Sequence, residues 1–156
     1  MPTLSIDGTT CEARLDETIL TVASRNGVWI PTLCYHPALE PYASCRLCMV
    51  EIDCGGWWQM VTSCNYPVRG DLVVRVNSER AVRARRGVME LLLARCPESA
   101  ELWALAARMG VQATCYPNVT EAQRNCILCG LCAATTKEEI IEATGKIRER
   151  LRTRAL

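Results

Sequence analysis

Residues 33–64 read LCYHPALEPYASCRLCMVEIDCGGWWQMVTSC, five cysteines in 32 residues. Four of them, Cys34, Cys45, Cys48 and Cys64, follow a C-x10-C-x2-C-x15-C spacing. Pro31, Pro37 and Pro41 keep the chain ahead of Cys45 in loop. "MVEI" and "WWQMV" then read as two strands around Gly55-Gly56, a hairpin turn. Three thiols therefore sit in one loop, and the fourth follows the return strand of a hairpin.

Working outward, "TLSIDG" and "TTCEARLD" read as a second hairpin about Asp7-Gly8, with Leu4 and Ile6 alternating with polar neighbours. A short amphipathic helix is expected over Glu17 to Asn26, capped by Asp16. "DLVVRV" is a further strand. Downstream, Ser78 can cap a helix that presents Val82, Met89, Leu92 and Leu93 on one face, and Pro97 stops it. "PESAELWALAARMG" starts another helix, with Leu102, Leu105, Ala106 and Met109 in one stripe and Gly110 as its cap. Val111 to Asn125 reads as irregular, and a last helix is expected from Lys137. The expected architecture is α+β: a small mixed sheet with one helix across it in residues 1–77, then a helical extension in residues 78–156.

Composition narrows the function. The chain has 156 residues, a formal net charge of +1 and 49% hydrophobic residues, so it carries no nucleic-acid signature. Its longest apolar run, Leu102 to Ala107, is too short for a bilayer. "MPTLSIDGTTCEARLD" lacks a basic segment followed by an apolar one, so the reading is cytoplasmic. Eleven cysteines, an odd number, in such a chain argue for metal ligation rather than disulfides. No Ser/His/Asp set and no Gly-rich nucleotide loop is present, and His36 is the lone histidine, read as packing or capping within its loop. Cys11 reads as a core residue and Cys54 as a thiol at a turn.

A binuclear iron–sulfur cluster needs four thiolates around two irons. Cys34, Cys45, Cys48 and Cys64 supply that number, and the small Ala43 and Ser44 let backbone N–H groups approach the sulfurs. Zinc sites more often use two Cys-x-x-Cys or Cys/His pairs, a habit this spacing fits poorly. A non-redox module holding zinc or a structural cluster is the alternative reading. Trp57 and Trp58 alternate on their strand, so one is expected to shield the cluster and the other to meet a partner.

The motif "P-T-L-C-Y-H-P…C-R-L-C-M-V-E-I" with the distal Cys64 resembles the binuclear-cluster domain of the large iron–sulfur subunit of respiratory complex I. It is similar also to the N-terminal domain of iron-only hydrogenases and to small diaphorase subunits of NAD-linked hydrogenases. The resemblance covers roughly residues 1–76 and implies a β-grasp [2Fe–2S] ferredoxin fold. It implies one-electron relay at low potential, near roughly −400 mV for plant-type centres. The implied partners are a flavin- and NAD(H)-binding subunit on one side and a catalytic subunit on the other, a hydrogenase, formate dehydrogenase or similar. The helical pair resembles the "L-L-L-A-R-C-P…L-A…G-V" segment of short iron–sulfur subunits in soluble oxidoreductase complexes.

A second cysteine set, Cys126, Cys129 and Cys132, gives C-x2-C-x2-C, three-quarters of the run that ligates cubane clusters. The next expected cysteine falls at Thr136, which instead begins a T-x-x-E capping box. Three readings stand. Cys115, or failing it Cys96, completes a [4Fe–4S] cluster; the site holds a three-cysteine or otherwise ligated cluster; or it is a remnant that binds nothing. The segment that in complex I proteins carries a histidine and three cysteines here has one cysteine and no histidine. Arg80, Arg83, Arg85 and Arg86 read as a solvated helix face, or else as a docking patch for an acidic partner. The basic stretch "GKIRERLRTRAL" reads as a frayed tail, with a partner-packing stripe as its sharper reading.

Overall fold

Asp7 and Gly8 both adopt positive φ, 47° and 86°, the combination a tight two-residue hairpin turn demands. They join β1 (Thr3–Ile6) to β2 (Thr9–Glu12). The computed structural model describes residues 1–119 and 127. β3 (Met49–Asp53) and β4 (Trp58–Thr62) form the second hairpin, turned by Gly55 and Gly56 at φ 78° and 106°. β5 (Leu72–Arg75) lies between the hairpins, parallel to β1 and antiparallel to β3, so the sheet order is β2-β1-β5-β3-β4. Asp7 locks the join: its carboxylate accepts from the Val76 and Asn77 backbone N–H groups and from Asn77 Nδ2.

Helix α1 (Ile19–Arg25) crosses the sheet and buries Ile19, Val22 and Ala23 against Leu4, Ile6, Val50, Ile52 and Val74. Its N-cap is Thr18, whose hydroxyl accepts from Thr21 N, and not Asp16. The backbone before Thr18 is committed elsewhere: Asp16 N donates to Val68 O, and Thr18 bridges Pro67. Asp16 sits at φ 62° and pairs with Arg69.

Helix α2 (Glu79–Arg95) is capped by Ser78, as its sequence signals, and α3 (Ala100–Arg108) by Ser99. Gly110, at φ 75°, follows the end of α3. The buried stripe of α2 is Ala81, Arg85, Met89 and Leu93. Val82, expected on that face, is exposed; the stripe follows an i, i+4, i+8 line that passes one position away from it. A second core gathers Met89, Leu93, Cys96, Leu102, Ala106 and Val111. Its seventh buried member is Leu47, which comes from the cysteine loop. β3 is consequently buried on both sides, with Glu51 at 5% exposure paired to Arg80 of α2. Ile127 packs against the second core. Cys126, Cys129, Cys132, Thr136 and the expected last helix lie outside the described residues.

Candidate iron–sulfur centre

Cys48 directly precedes β3 and Cys64 directly follows Ser63, past the end of β4. The ladder pairs Met49 with Thr62. One residue beyond, Ser63 donates both its N–H, at 3.1 Å, and its Oγ–H, at 2.9 Å, to the Cys48 carbonyl. The hairpin thereby fixes Cys48 and Cys64 as neighbours. The Ser63 carbonyl accepts from Leu20 N, tying the pair to the first turn of α1.

The other two thiols come from the loop after α1. Cys45 N donates toward Cys34 Sγ at 3.5 Å. Ala43 and Arg46, on either side of Cys45, adopt φ 54° and 59°. Left-handed backbone at non-glycine residues costs roughly 1 kcal/mol or more each and persists where the surroundings impose it. Here it turns the chain so that the Cys45 amide faces a sulfur. His36 caps the same loop, its Nδ1 accepting from Ala38 N.

Cys34, Cys48 and Cys64 are buried and Cys45 is half-buried. Burial is the main influence on Cys45 and pushes its thiol up to about 11. The Cys64 thiol donates a hydrogen bond to Cys48, which brings Cys48 down to about 6 and drives Cys64 well above the usual thiol range. Cys64 also feels the charges of Cys34 and Cys45. The four sulfurs are thus in electrostatic contact and arranged as two pairs, Cys34 with Cys45 and Cys48 with Cys64. Among the described residues, no three His, Cys, Asp or Glu side chains converge as a single ion requires. Four thiols in two pairs are a donor set that fits two iron atoms side by side, each iron taking one pair.

Cys11 is a core residue at 2% exposure, and the half-buried Cys54 points its thiol at Gln59 Oε1. Trp58 lies at the turn end of the hairpin, paired with Asp53 and stacked under Arg75 at 3.7 Å, while the exposed Trp57 precedes the strand. Cys64 is at the opposite end of β4, so neither tryptophan shields it. The arginine cluster divides as well. Arg80 pairs with Glu51, Arg83 with Glu79 and Arg86 with Glu90, and all three guanidinium groups are largely exposed. Arg85 is 5% exposed, and its Nη1 has no hydrogen-bond partner. It is thus neither on a solvated face nor free for docking like its neighbours, and its i, i+4, i+8 alignment with Met89 and Leu93 is the signal in the sequence that sets it apart.

Cys115 is exposed, its thiol 3.5 Å from Glu90 Oε2, and Thr114 Oγ1 donates to the Glu90 carbonyl. Cys96 is 1% exposed within the second core.

Residues 1–79 match the 2Fe-2S iron-sulfur cluster binding domain family. The NADPH-Fe(3+) oxidoreductase subunit alpha of Geobacter sulfurreducens is 35% identical over 116 residues, 74% of this chain and 14% of the relative. The NADP-reducing hydrogenase subunit HndD of Solidesulfovibrio fructosivorans is 39% identical over 130 residues, 74% of this chain and 22% of the relative. The mitochondrial NADH-ubiquinone oxidoreductase 78 kDa subunit of Neurospora crassa is 38% identical over 94 residues, 60% of this chain and 12% of the relative. The chain therefore spans less than a quarter of the length of these curated relatives. Among solved structures, a chain of an NAD+-reducing [NiFe]-hydrogenase in its H2-reduced state superposes with a TM-score of 0.75 at 31% identity, covering 88% of this chain and 67% of that one. With four thiols paired at the mouth of a mixed sheet, and with the family match spanning all four, the chain belongs to the 2Fe-2S iron–sulfur cluster binding domain family.

Proposed function

We propose that this chain is an iron–sulfur electron-transfer subunit of a cytoplasmic oxidoreductase complex. It relays single electrons between a flavin- and NAD(H)-binding subunit and a catalytic subunit such as a hydrogenase or formate dehydrogenase. Cys34 and Cys45 hold one iron of a [2Fe–2S] cluster, and Cys48 and Cys64 hold the other. The observation that carries the reading is the pairing of these four thiols at the junction of a strained loop and the β3–β4 hairpin. When bound, the cluster supplies a one-electron couple. The protein contributes the rest: a buried sulfur cage, backbone N–H donors toward sulfur, and a rigid hairpin that keeps the pairs in register.

Residues 1–77 form the ferredoxin-type unit in this reading, and residues 78–156 are a helical extension with a second cluster. Cys126, Cys129, Cys132 and Cys115 ligate a [4Fe–4S] cluster. Cys115 is favoured over Cys96 because it is exposed and is the nearer of the two to Cys126 in the sequence, whereas Cys96 fills the core between the helices.

The test is anaerobic purification followed by iron and sulfide counts and EPR after dithionite reduction. Wild type is expected to show a [2Fe–2S] signal that Cys45→Ser abolishes and Cys54→Ser leaves intact. A cubane signal lost in Cys115→Ser and kept in Cys96→Ala is expected from the second site. Iron-free protein from the anaerobic preparation sinks the relay reading.

A further inference from the structure

A guanidinium at 5% exposure is costly unless something negative lies near it. Arg85 has no ion pair among the described residues, and its Nη1 is both buried and without a hydrogen-bond partner. The larger of the two negative influences on it is Asp7, whose carboxylate also accepts from three N–H donors of Val76 and Asn77 but makes no ion pair with it. The smaller influence comes from Cys48. Geometry explains why. Arg85, Met89 and Leu93 form one stripe of α2, and Met89 and Leu93 share a buried core with Leu47, the residue before Cys48. Cys45 is packed against the same core. The stripe that clamps the cysteine loop therefore carries a buried positive charge one turn ahead of the clamp.

We propose that Arg85 is the built-in counter-charge of the [2Fe–2S] cluster and holds its reduction potential up. The inference rests on the cluster reading above. Four thiolates around a binuclear iron core leave a net negative charge, and reduction adds one more electron with no bond made or broken. A fixed cation favours the more negative state, so it raises the potential, and more strongly the less its charge is screened by water. The apparent flaw of an unpaired buried arginine is then a property of the chain without iron. Arg80, Arg83 and Arg86, each paired to its own carboxylate and largely exposed, have no such role.

The experiment is an anaerobic redox titration, followed by EPR, of the full chain as wild type, Arg85→Met, Arg85→Gln, Arg85→Lys and Arg83→Met. Iron and sulfide are counted on each. Removing the charge in Arg85→Met or Arg85→Gln is expected to lower the reduced-to-oxidised ratio at the wild-type midpoint about tenfold, equivalent to a shift of about −59 mV for one electron. Arg85→Lys and Arg83→Met are expected to stay within about threefold of wild type. A neutral variant with full iron and the wild-type midpoint overturns the proposal, as does Arg85→Lys falling as far as Arg85→Gln. Iron missing from wild type as well overturns the cluster reading instead. Thermal melting of the iron-free chain guards against a merely structural role. Exchanging a buried cation that makes no ion pair for methionine should leave the melting temperature unchanged or higher, and an iron-free Arg85→Met chain that no longer folds overturns the proposal.

Discussion

At the scale of single residues, the four ligand candidates were legible because spacing is a chemical statement. One Cys-x-x-Cys with two outlying cysteines limits how sulfurs can be grouped, and the structure groups them as two pairs. Arg85 was not legible, since a charged residue among charged residues reads as surface until the register of its helix is known. The Cys48–Cys64 pair carries its own prediction for the iron-free chain. Cys48, brought to about 6 by the Cys64 thiol, should appear as a thiolate in an ultraviolet titration near that pH. Its ordinary value is 9.0, so the unfolded chain still holds this proton between pH 6 and 9 while the folded chain has lost it. Stability from Cys48 is therefore fully present above pH 9, shrinks as pH falls, and is gone once pH passes below about 6. Cys64 and Cys45, both raised, act in the opposite sense and weaken the fold above pH 9. Cys64→Ala removes the donor and should move the first thiolate step back toward 9. No thiolate below pH 8 in the unsubstituted chain would contradict this account of the pair.

At the scale of elements, both hairpins, the central strand and the α2 cap followed from local chemistry. Asp7-Gly8 and Gly55-Gly56 mark turns that need positive φ, and Ser78 offers a hydroxyl to an otherwise orphaned N–H. The start of α1 did not follow, because Asp16 and Thr18 are both competent caps and the choice is made by long-range contacts with Pro67 and Val68. Sheet order was equally hidden, since β5 inserts between two hairpins that are each complete locally. Leu47 is the element-scale surprise: a loop residue between two candidate ligand cysteines is fully buried in a helical core. Leu47→Ala should cost about 2–5 kcal/mol, in the range of other leucine truncations in packed cores, as read by chemical denaturation. It should also accelerate iron loss to a chelator, because the same residue anchors the loop that presents Cys45 and Cys48. Met89→Ala, on the opposite side of the contact, should reproduce both effects. Destabilisation without faster iron loss would mean that loop and helix are packed together but not mechanically linked.

At the scale of the whole molecule, contacts cross the boundary at Asn77 that the change of periodicity marks. The family match ends at residue 79, yet α2 brings Arg80 to Glu51 and puts Met89 and Leu93 in one core with Leu47. Arg108, at the end of α3, stacks over Trp29 at 4.1 Å and so reaches the loop that leads to Cys34. Leu33 and Cys45 pack against the helical core along with Leu47. Among the described residues no helix is long and apolar enough to cross a membrane, and Met89, Leu93, Leu102 and Ala106 of α2 and α3 are buried in this clamp. A chain ending at residue 77 should still fold, because the core between α1 and the sheet is complete without the two later helices. It would leave the Leu47 side chain in water, at a cost of about 1.5–3 kcal/mol, and would remove the one buried cation near the sulfurs among the described residues. Such a fragment is expected to take up iron, to lose it several times faster than the full chain, and to show the same negative shift in midpoint as Arg85→Met. A fragment as retentive as the full chain and equal in potential would show that the helices are passengers. The clamp and the counter-charge would then fail together, and the ferredoxin-type unit alone would set the properties of its cluster.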